Sequence, residues 1–199
     1  LDNGARLLAD IPSLAEVSKA LSARAAKLRS NRFTVALFGA FSAGKSSFAS
    51  ALIGESVLPI SPNPTTAAIN AILPPDEAHP HGSAVIRMKS EQALLQDLRF
   101  SISMLGLPEE DLTNVQEAVE RLRRLALDKV PAKGKPHVSF IQAVAAGYSA
   151  VKNRLGTAWV ADFETYRQYV AEESKSCFAE AIDLYYRSSF SDQGVVFVD

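Results

Sequence analysis

The sequence predicts an α/β fold built on a parallel sheet. The chain has 199 residues, 47% hydrophobic and 22% charged, which is typical of a globular protein of one or two domains. Two apolar segments, "FTVALF" at 33–38 and "VVFV" at 195–198, are rich in β-forming residues. Such runs are typical of strands buried on both faces of a parallel sheet. Most of the chain between 90 and 187 has a helical pattern instead.

The N-terminal segment, residues 1–32, is predicted to be helical. Pro12 is compatible with a first helical turn, so the main helix is expected from there to about Ser30. Its apolar stripe steps alternately by four and three residues, as in a bundle helix. The stripe consists of Leu7, Ile11, Leu14, Ser18, Leu21, Ala25 and Leu28. It can pack on its own domain or join a bundle whose other helices lie outside this sequence.

After the first strand the pattern predicts a loop and a helix from Lys45 to about Leu52, closed by Gly54. Prolines then exclude regular structure between Leu58 and Thr65. The short segments "AAINAIL" and "SAVIRM" are predicted to form a hairpin with a loose loop. Histidines 79 and 81 in that loop lack other ligand residues at metal spacing, which argues against a metal site.

Four helices are predicted in the segment that follows. The first begins after a serine cap at Ser90, and the second, "PEEDLTNVQEAVERLRRLAL", carries acids in its first turn. A third is expected around 139–153 and a long fourth from about Phe163 to Tyr186. Together they predict a helical insertion.

Composition excludes several classes of function. The net charge of −1 gives no general attraction to nucleic acid. The single cysteine, Cys177, cannot form an internal disulfide and is expected to be a small apolar residue on a helix. No apolar run reaches the roughly 20 residues that span a bilayer, and no signal pattern opens the chain. A cytoplasmic location is therefore expected.

The stretch from Gly39 to Ser46 matches the phosphate-binding loop pattern, G-x-x-x-x-G-K-[ST]. Its glycines permit tight turns, so that backbone N–H groups can surround a polyphosphate. The helix that follows directs its positive end at the same phosphates. Lys45 can reach the β- and γ-phosphates, and the Ser46 hydroxyl can bind Mg²⁺. The predicted nucleotide-binding residues are Gly39, Ala40, Phe41, Ser42, Ala43, Gly44, Lys45, Ser46 and Ser47.

Two further groups are expected to complete this site. A threonine in the loop beyond the first helix can bind Mg²⁺ and sense the γ-phosphate, and "PNPTTA" offers Thr65 and Thr66. Asp199 follows the strand "VVFV" and can hold Mg²⁺ through water. A turn or capping role for Asp199 is the alternative.

The sequence resembles the dynamin superfamily, and within it the bacterial dynamin-like proteins. The resemblance rests on "GAFSAGKSSFASALIG", "VLPISPNPTTA" and "GVVFVD", which with a helical segment before the last cover about a third of the chain. It implies that Thr66 is the switch threonine, with Thr65 the alternative, and that Asp199 stands on the Mg²⁺ side. It also implies that Ser42 helps bind a monovalent cation, K⁺ or Na⁺. Lys45, Ser42 and Thr66 are thus the expected catalytic residues.

The resemblance implies Mg²⁺-dependent GTP binding and hydrolysis by an incomplete P-loop GTPase domain, inactive alone. It implies coupling to self-association, as a homodimer across the nucleotide face, and to membrane remodelling or fusion at the membrane periphery. Lipids would bind through regions outside this chain. The expected units are a bundle helix at 1–32, GTPase segments at 33–89 and 190–199, and the helical insertion at 90–189.

Phe41 is a departure, since eukaryotic dynamins usually carry a water-positioning glutamine there. The motif that reads guanine is also absent, so the choice of GTP rests on the resemblance. A scaffold that binds nucleotide with little hydrolysis, and a P-loop GTPase of another family, are the alternatives.

Overall fold

The computed structural model describes residues 1–29, 32–39, 44–54, 69–107, 112–122 and 134–198. The helices among these residues are α1 (Asp2–Ala9), α2 (Ala15–Arg29), α3 (Lys45–Ile53), α4 (Glu91–Met104), α5 (Val115–Leu122), α6 (Lys135–Val151), α7 (Phe163–Ala171) and α8 (Glu173–Ser176). The strands are β1 (Phe33–Ala36), β2 (Ile69–Leu73), β3 (Ser83–Met88), β4 (Ala158–Ala161), β5 (Ala179–Tyr185) and β6 (Val195–Val198). The α/β class predicted from the sequence is confirmed.

Within the described part of the chain, six strands form one mixed sheet in the order β1-β6-β2-β5-β3-β4. The pairs β1–β6 and β2–β5 are parallel, whereas β6–β2, β5–β3 and β3–β4 are antiparallel. The two strands predicted from apolar runs, β1 and β6, therefore lie side by side. Their carboxyl ends meet at the same edge of the sheet.

The structure corrects two expectations about these strands. The segment 33–38 was expected to form a buried central strand, but β1 ends the sheet in the described chain and all four of its residues are exposed. An apolar run predicts that a strand is buried, but it does not show whether the strand has a hydrogen-bonded neighbour on both of its edges. The hairpin expected between β2 and β3 is also wrong, because β5 lies between them.

A third correction concerns the long helix expected from about Phe163 to Tyr186. Helix α7 ends at Ala171, and the short α8 leads into β5. At the end of this segment the buried Ile182 and Leu184 alternate with Asp183, as in a strand. The expected insertion at 90–189 is therefore not purely helical, since it contains β4 and β5.

The main core lies between the sheet and its helical layer. Ala84, Ile86 and Met88 alternate along β3 and are buried, and the first two pair with the buried Leu184 and Ile182 of β5. Apolar residues of α4, α5, α6 and α7 belong to the same cluster. The predicted helix starts are partly confirmed: the Ser90 hydroxyl caps α4 by accepting from the Ala93 N–H at 3.1 Å, whereas α5 begins only at Val115.

The N-terminal helices form an antiparallel hairpin of their own. The Ser18 hydroxyl on α2 donates to the Ala5 carbonyl on α1 at 2.8 Å, and a 3₁₀ turn at Pro12–Leu14 joins the helices. Ala5 and Ala25 are buried but lie outside the main core cluster. Leu7 and Leu28 of the predicted stripe are 77% and 66% exposed. The helical prediction is confirmed, whereas the bundle and the domain boundaries stay predictions.

Candidate nucleotide-binding site

The predicted phosphate-binding loop leaves the carboxyl end of β1 and enters α3. Of this loop the structure describes both ends, Gly39 and Gly44, while residues 40–43 lie outside the described ranges. The Lys45 ammonium donates to the Gly39 carbonyl at 3.3 Å. This contact brings the start of α3 next to the end of β1, with the lysine at the entrance of the loop between them.

Gly44 holds the junction between loop and helix. Its φ of 82° lies in the left-handed region, and its carbonyl accepts the N–H of Phe48 at 2.8 Å, the first hydrogen bond of α3. A residue with a Cβ is strained at this φ, whereas glycine adopts it freely. Gly54, with a φ of 89°, ends the helix as predicted.

Apolar residues on one side of α3 fix it to the body of the protein. Ala49 is fully buried in the main core, and Leu52 and Ile53 pack against that core. Ser47 and Phe48, on the first turn, are exposed. The spacing of three and four residues between the anchoring positions is that of one helix face. The N-terminal turn of α3 is thereby held at the carboxyl edge of the sheet, where helix N–H groups can face a ligand.

Strand β6 lies beside the exit to this loop. The Val198 carbonyl accepts the N–H of Leu37 at 2.8 Å, so the hydrogen bonding of the two strands continues beyond Ala36. Asp199 is the next residue along the chain, and Gly39 follows Leu37 by two. Ligands of parallel α/β sheets bind at the carboxyl ends of strands, the edge where both segments emerge. No sequence pattern could have revealed this register.

The remaining predicted residues can be placed only in part. Ser46 is the second residue of α3 and Ser47 the third. Ala40, Phe41, Ser42, Ala43, Thr65, Thr66 and Asp199 lie outside the described residues. The structure therefore brings together Gly39, Gly44 and Lys45, and leaves the roles of the other predicted site residues as predictions.

The described ranges contain no group of three or more histidine, cysteine, aspartate or glutamate side chains able to hold a metal ion. None of the helices within those ranges is both long and apolar enough to cross a bilayer. Cys177 lies in the turn between α8 and β5 rather than on a helix, and burial raises its pKa to about 12. Its thiol is thus unreactive near neutral pH.

A glycine-ended loop between a β-strand and a helix that begins Gly-Lys-Ser, at the carboxyl edge of an α/β sheet, defines a P-loop nucleotide-binding fold. A sequence profile described as the dynamin family matches residues 35–199. This match covers most of the chain, which therefore belongs to the dynamin family. Its α/β body is part of a dynamin-type GTPase domain.

Known relatives agree with this assignment. Dynamin-like protein A of Bacillus subtilis is 31% identical over 199 residues, a match that covers 97% of this chain. Two solved chains of an oligomerised bacterial dynamin pair, described as a mechanism for long-range sensing and tethering of membranes, share the fold. Each has a TM-score of 0.52 and 17% identity over 99% of this chain. The chain spans 16% of the length of the Bacillus protein and 22% and 23% of the two solved chains.

Proposed function

We propose that the protein of which this chain is part binds and hydrolyses GTP with Mg²⁺, and couples that cycle to self-association and membrane remodelling or fusion. The observation that carries the proposal is the junction at the carboxyl edge of β1. There, Lys45 lies across the entrance of the phosphate-binding loop, beside the strand that leads to Asp199. Membership of the dynamin family supports the choice of GTP.

The proposed roles follow from the chemistry of each residue. The backbone N–H groups from Gly39 to Ser47 surround the phosphates, with the positive end of α3 directed at them. Lys45 leaves the Gly39 carbonyl and neutralises charge on the β- and γ-phosphates. Ser42, Lys45 and Thr66 stabilise the charge that develops during hydrolysis, and Ser42 takes a K⁺ or Na⁺ ion.

Magnesium suits the oxygen donors that the chain offers. The hydroxyls of Ser46 and Thr66 and the carboxylate of Asp199, the last acting through water, are hard ligands of the kind Mg²⁺ prefers. When bound, the ion would neutralise negative charge on the phosphates of the nucleotide. The first turn of α3 and the end of β6 lie at the same sheet edge as the loop, which supports this assignment of ligands.

Self-association and membrane contact extend the proposal to the whole protein. We place the homodimer contact on the nucleotide face, the lipid contact outside this chain, and the protein at the cytoplasmic side of a membrane. The solved relative is described as an oligomerised pair that tethers membranes, and this supports both steps. A scaffold that binds GTP but barely hydrolyses it is the second candidate, favoured by Phe41 at the position where eukaryotic dynamins usually carry glutamine.

The first test removes the lysine. In calorimetric titrations of the full-length protein with GTP and Mg²⁺, Lys45→Ala should weaken binding by at least about a hundredfold, because the charge-assisted bonds to phosphate are lost. The matched control is Lys19→Ala, an exposed lysine on α2, which should bind like wild type. Binding of ATP instead of GTP, or equal GTP binding by Lys45→Ala, would contradict the proposal.

The second test separates binding from hydrolysis. Thr66→Ala should retain most GTP affinity while slowing single-turnover hydrolysis by about a hundredfold, since a group that acts on the transition state is removed. Thr65→Ala is the control and should hydrolyse at the wild-type rate. Equal turnover in both variants would remove Thr66 from the proposed mechanism. Slow hydrolysis by the wild type, with or without K⁺, would favour the scaffold.

A further inference from the structure

The turn between β2 and β3, residues 74–82, packs against the end of β5 and forms a hydrogen bond with it. Asp76 organises it, because its carboxylate accepts the backbone N–H groups of Ala78 and His79 at 3.0 and 2.8 Å. The N–H of Gly82 donates to the Tyr185 carbonyl at 2.8 Å. Two histidines of the turn contact two consecutive tyrosines of the chain as it leaves β5. These contacts join segments about a hundred residues apart in sequence.

His79 makes a contact with Asp76 that a further proton on its ring does not break. Its Nδ1 lies 2.9 Å from the Asp76 carboxylate, and its ring stacks on Tyr185 with the centroids 4.2 Å apart. A carboxylate only accepts hydrogen bonds, so this Nδ1 carries a proton. Burial acts to raise the pKa of Asp76, but bonds from the His79 ring and from the backbone of Ala78 and His79 lower it overall. Protonation of His79 therefore preserves this contact.

His81 makes the opposite kind of contact. Its Nδ1 accepts the backbone N–H of Arg187 at 2.9 Å, and its ring lies against Tyr186 with the centroids 4.4 Å apart. A backbone N–H can only donate, so Nδ1 of His81 must be without a proton while this bond exists. Protonated imidazole carries hydrogen on both nitrogens and cannot accept it.

We propose that His81 and the backbone of Arg187 form an acid-sensitive clasp between the β2–β3 turn and the β5–β6 connection, residues 186–194. Imidazoles commonly titrate between pH 5 and 8. The Nδ1 atom that accepts the Arg187 N–H carries no proton, so a proton on that atom breaks the bond and acid favours the open clasp. The open state therefore gains protons, and the closed state loses stability as the pH falls through that range.

The connection that the clasp holds, residues 186–194, runs directly into strand β6 of the sheet. The connection ends at Gly194, whose carbonyl accepts the N–H of Phe33 at the start of β1 at 2.9 Å. Beyond it, β6 pairs with β1. Acidification should therefore loosen the edge of the sheet opposite the phosphate-binding loop.

Several charged or titratable groups surround the clasp. The turn itself carries Asp76, Glu77 and His79, Tyr185 ends β5, and Tyr186 begins the connection. The Arg187 side chain lies 3.8 Å from Asp192 of the connection, and Arg32 acts electrostatically on Tyr185. Asp162 and Glu164 flank Phe163, whose ring contacts Tyr186. The acceptor that the Arg187 N–H has in this structure is Nδ1 of His81.

Hydrogen exchange in the full-length protein tests the clasp. Exchange of peptides covering 186–194 is measured at pH 7.5 and 5.5, corrected for the intrinsic effect of pH, with peptides of α4 as an internal reference. Wild type should exchange roughly tenfold faster at the lower pH, as expected for loss of one hydrogen bond. His81→Asn, whose amide oxygen can accept from Arg187 without titrating, should lose this difference. His79→Ala should retain it.

Two results on the pH response would overturn the clasp. One is the same pH response in wild type and in His81→Asn, which would assign the effect to another group. The other is an exchange rate that rises at pH 5.5 throughout the protein, with α4 peptides exchanging as fast as those of the connection. His81→Ala, which removes the acceptor at every pH, should exchange faster at both values. Slow exchange in that variant would equally contradict the proposal.

Discussion

Gly147 lies in α6 at the point where this helix packs against α8. A Cβ built at this position would meet the backbone carbonyl of Ser174 and come within 2.7 Å of ring atom Cε2 of Phe178. Backbone cannot move aside as a flexible side chain can. The absence of a side chain here is therefore a packing requirement, which the sequence of an otherwise ordinary helix does not reveal.

Gly147→Ala should consequently destabilise the protein, although alanine is the better helix former. Helix propensity alone would add up to about 1 kcal/mol of stability. Overpacking typically costs about 1–3 kcal/mol, so we expect a net loss, measured as a lower midpoint of urea unfolding. Gly4→Ala in α1 is the matched control, because the nearest atom to its Cβ is a Leu21 methyl carbon at 3.9 Å. An increase in stability for both variants would show that α6 and α8 pack less closely than described.

The sequence predicted some of the important single residues but not all of them. The motif identified Gly44 and Lys45 because a P-loop requires those residue types at that spacing, and the structure shows the left-handed φ and the lysine contact. The clasp residue His81 could not be identified in this way. Its partner is a backbone group 106 residues away, and backbone groups leave no signal in the sequence.

At the scale of elements, local signals located helices well. Ser90 and Asp162 each precede a helix and cap it, as a short polar residue at that position predicts. Asp162 accepts the N–H of Thr165 at the start of α7 at 2.7 Å, and this bond lowers the pKa of the carboxyl group from its ordinary value of 3.8. The folded state thus prefers the ionised carboxylate.

This cap makes the stability of α7 depend on pH. Because the folded pKa lies below the unfolded one, the contribution of Asp162 is complete above about pH 4 and is lost as the pH falls through the folded value. Asp162→Ala should therefore lower the melting temperature at pH 7, and its deficit should shrink at pH 3. Thermal unfolding followed by circular dichroism measures both. Asp162→Asn, which can still cap, should resemble wild type at pH 3; a deficit independent of pH would contradict this role.

Strands were located less well than helices. The sequence predicts strands β1, β2, β3 and β6, which the structure contains, whereas β5 falls in the second half of a predicted helix and no pattern predicts β4. Strand β5 pairs with both β2 and β3, so its strand conformation is stabilised by neighbours distant in sequence. Such pairing overrides a local helical preference, which is worth only fractions of a kcal/mol per residue.

At the scale of the whole molecule, the described part of the chain has two hydrophobic regions, the core beneath the sheet and the smaller contact between α1 and α2. Ile182 lies within the first, whereas Ala25 lies in the second and outside the main cluster. The open end of the sheet exposes apolar surface: Phe33 is 61% exposed and Phe38 91%. Substitutions in the two regions should therefore differ in their effect on the site.

Ala25→Glu should open the N-terminal hairpin, because a buried charge without a partner is costly, yet leave GTP affinity within about twofold of wild type. Ile182→Ala should remove about 2–5 kcal/mol of unfolding free energy from the body that carries the P-loop. Limited proteolysis of residues 1–29, read beside GTP titrations, separates the two effects. Loss of GTP binding in Ala25→Glu, with the sheet still folded, would show that the hairpin supports the site.

The sequence by itself determined the local features: the phosphate-binding loop, the ends of α3, the capped start of α4, and the helical character of the N-terminus. Each depends on residues within one or two turns of one another, where stereochemistry and amphipathic spacing act directly. Only the tertiary structure decided the order of the strands, the insertion of β5 between β2 and β3, and the contact of His81 with Arg187. Those features depend on pairing between distant segments. Backbone hydrogen bonds can form between any two strands that burial brings together, so the residue types do not specify which strands pair.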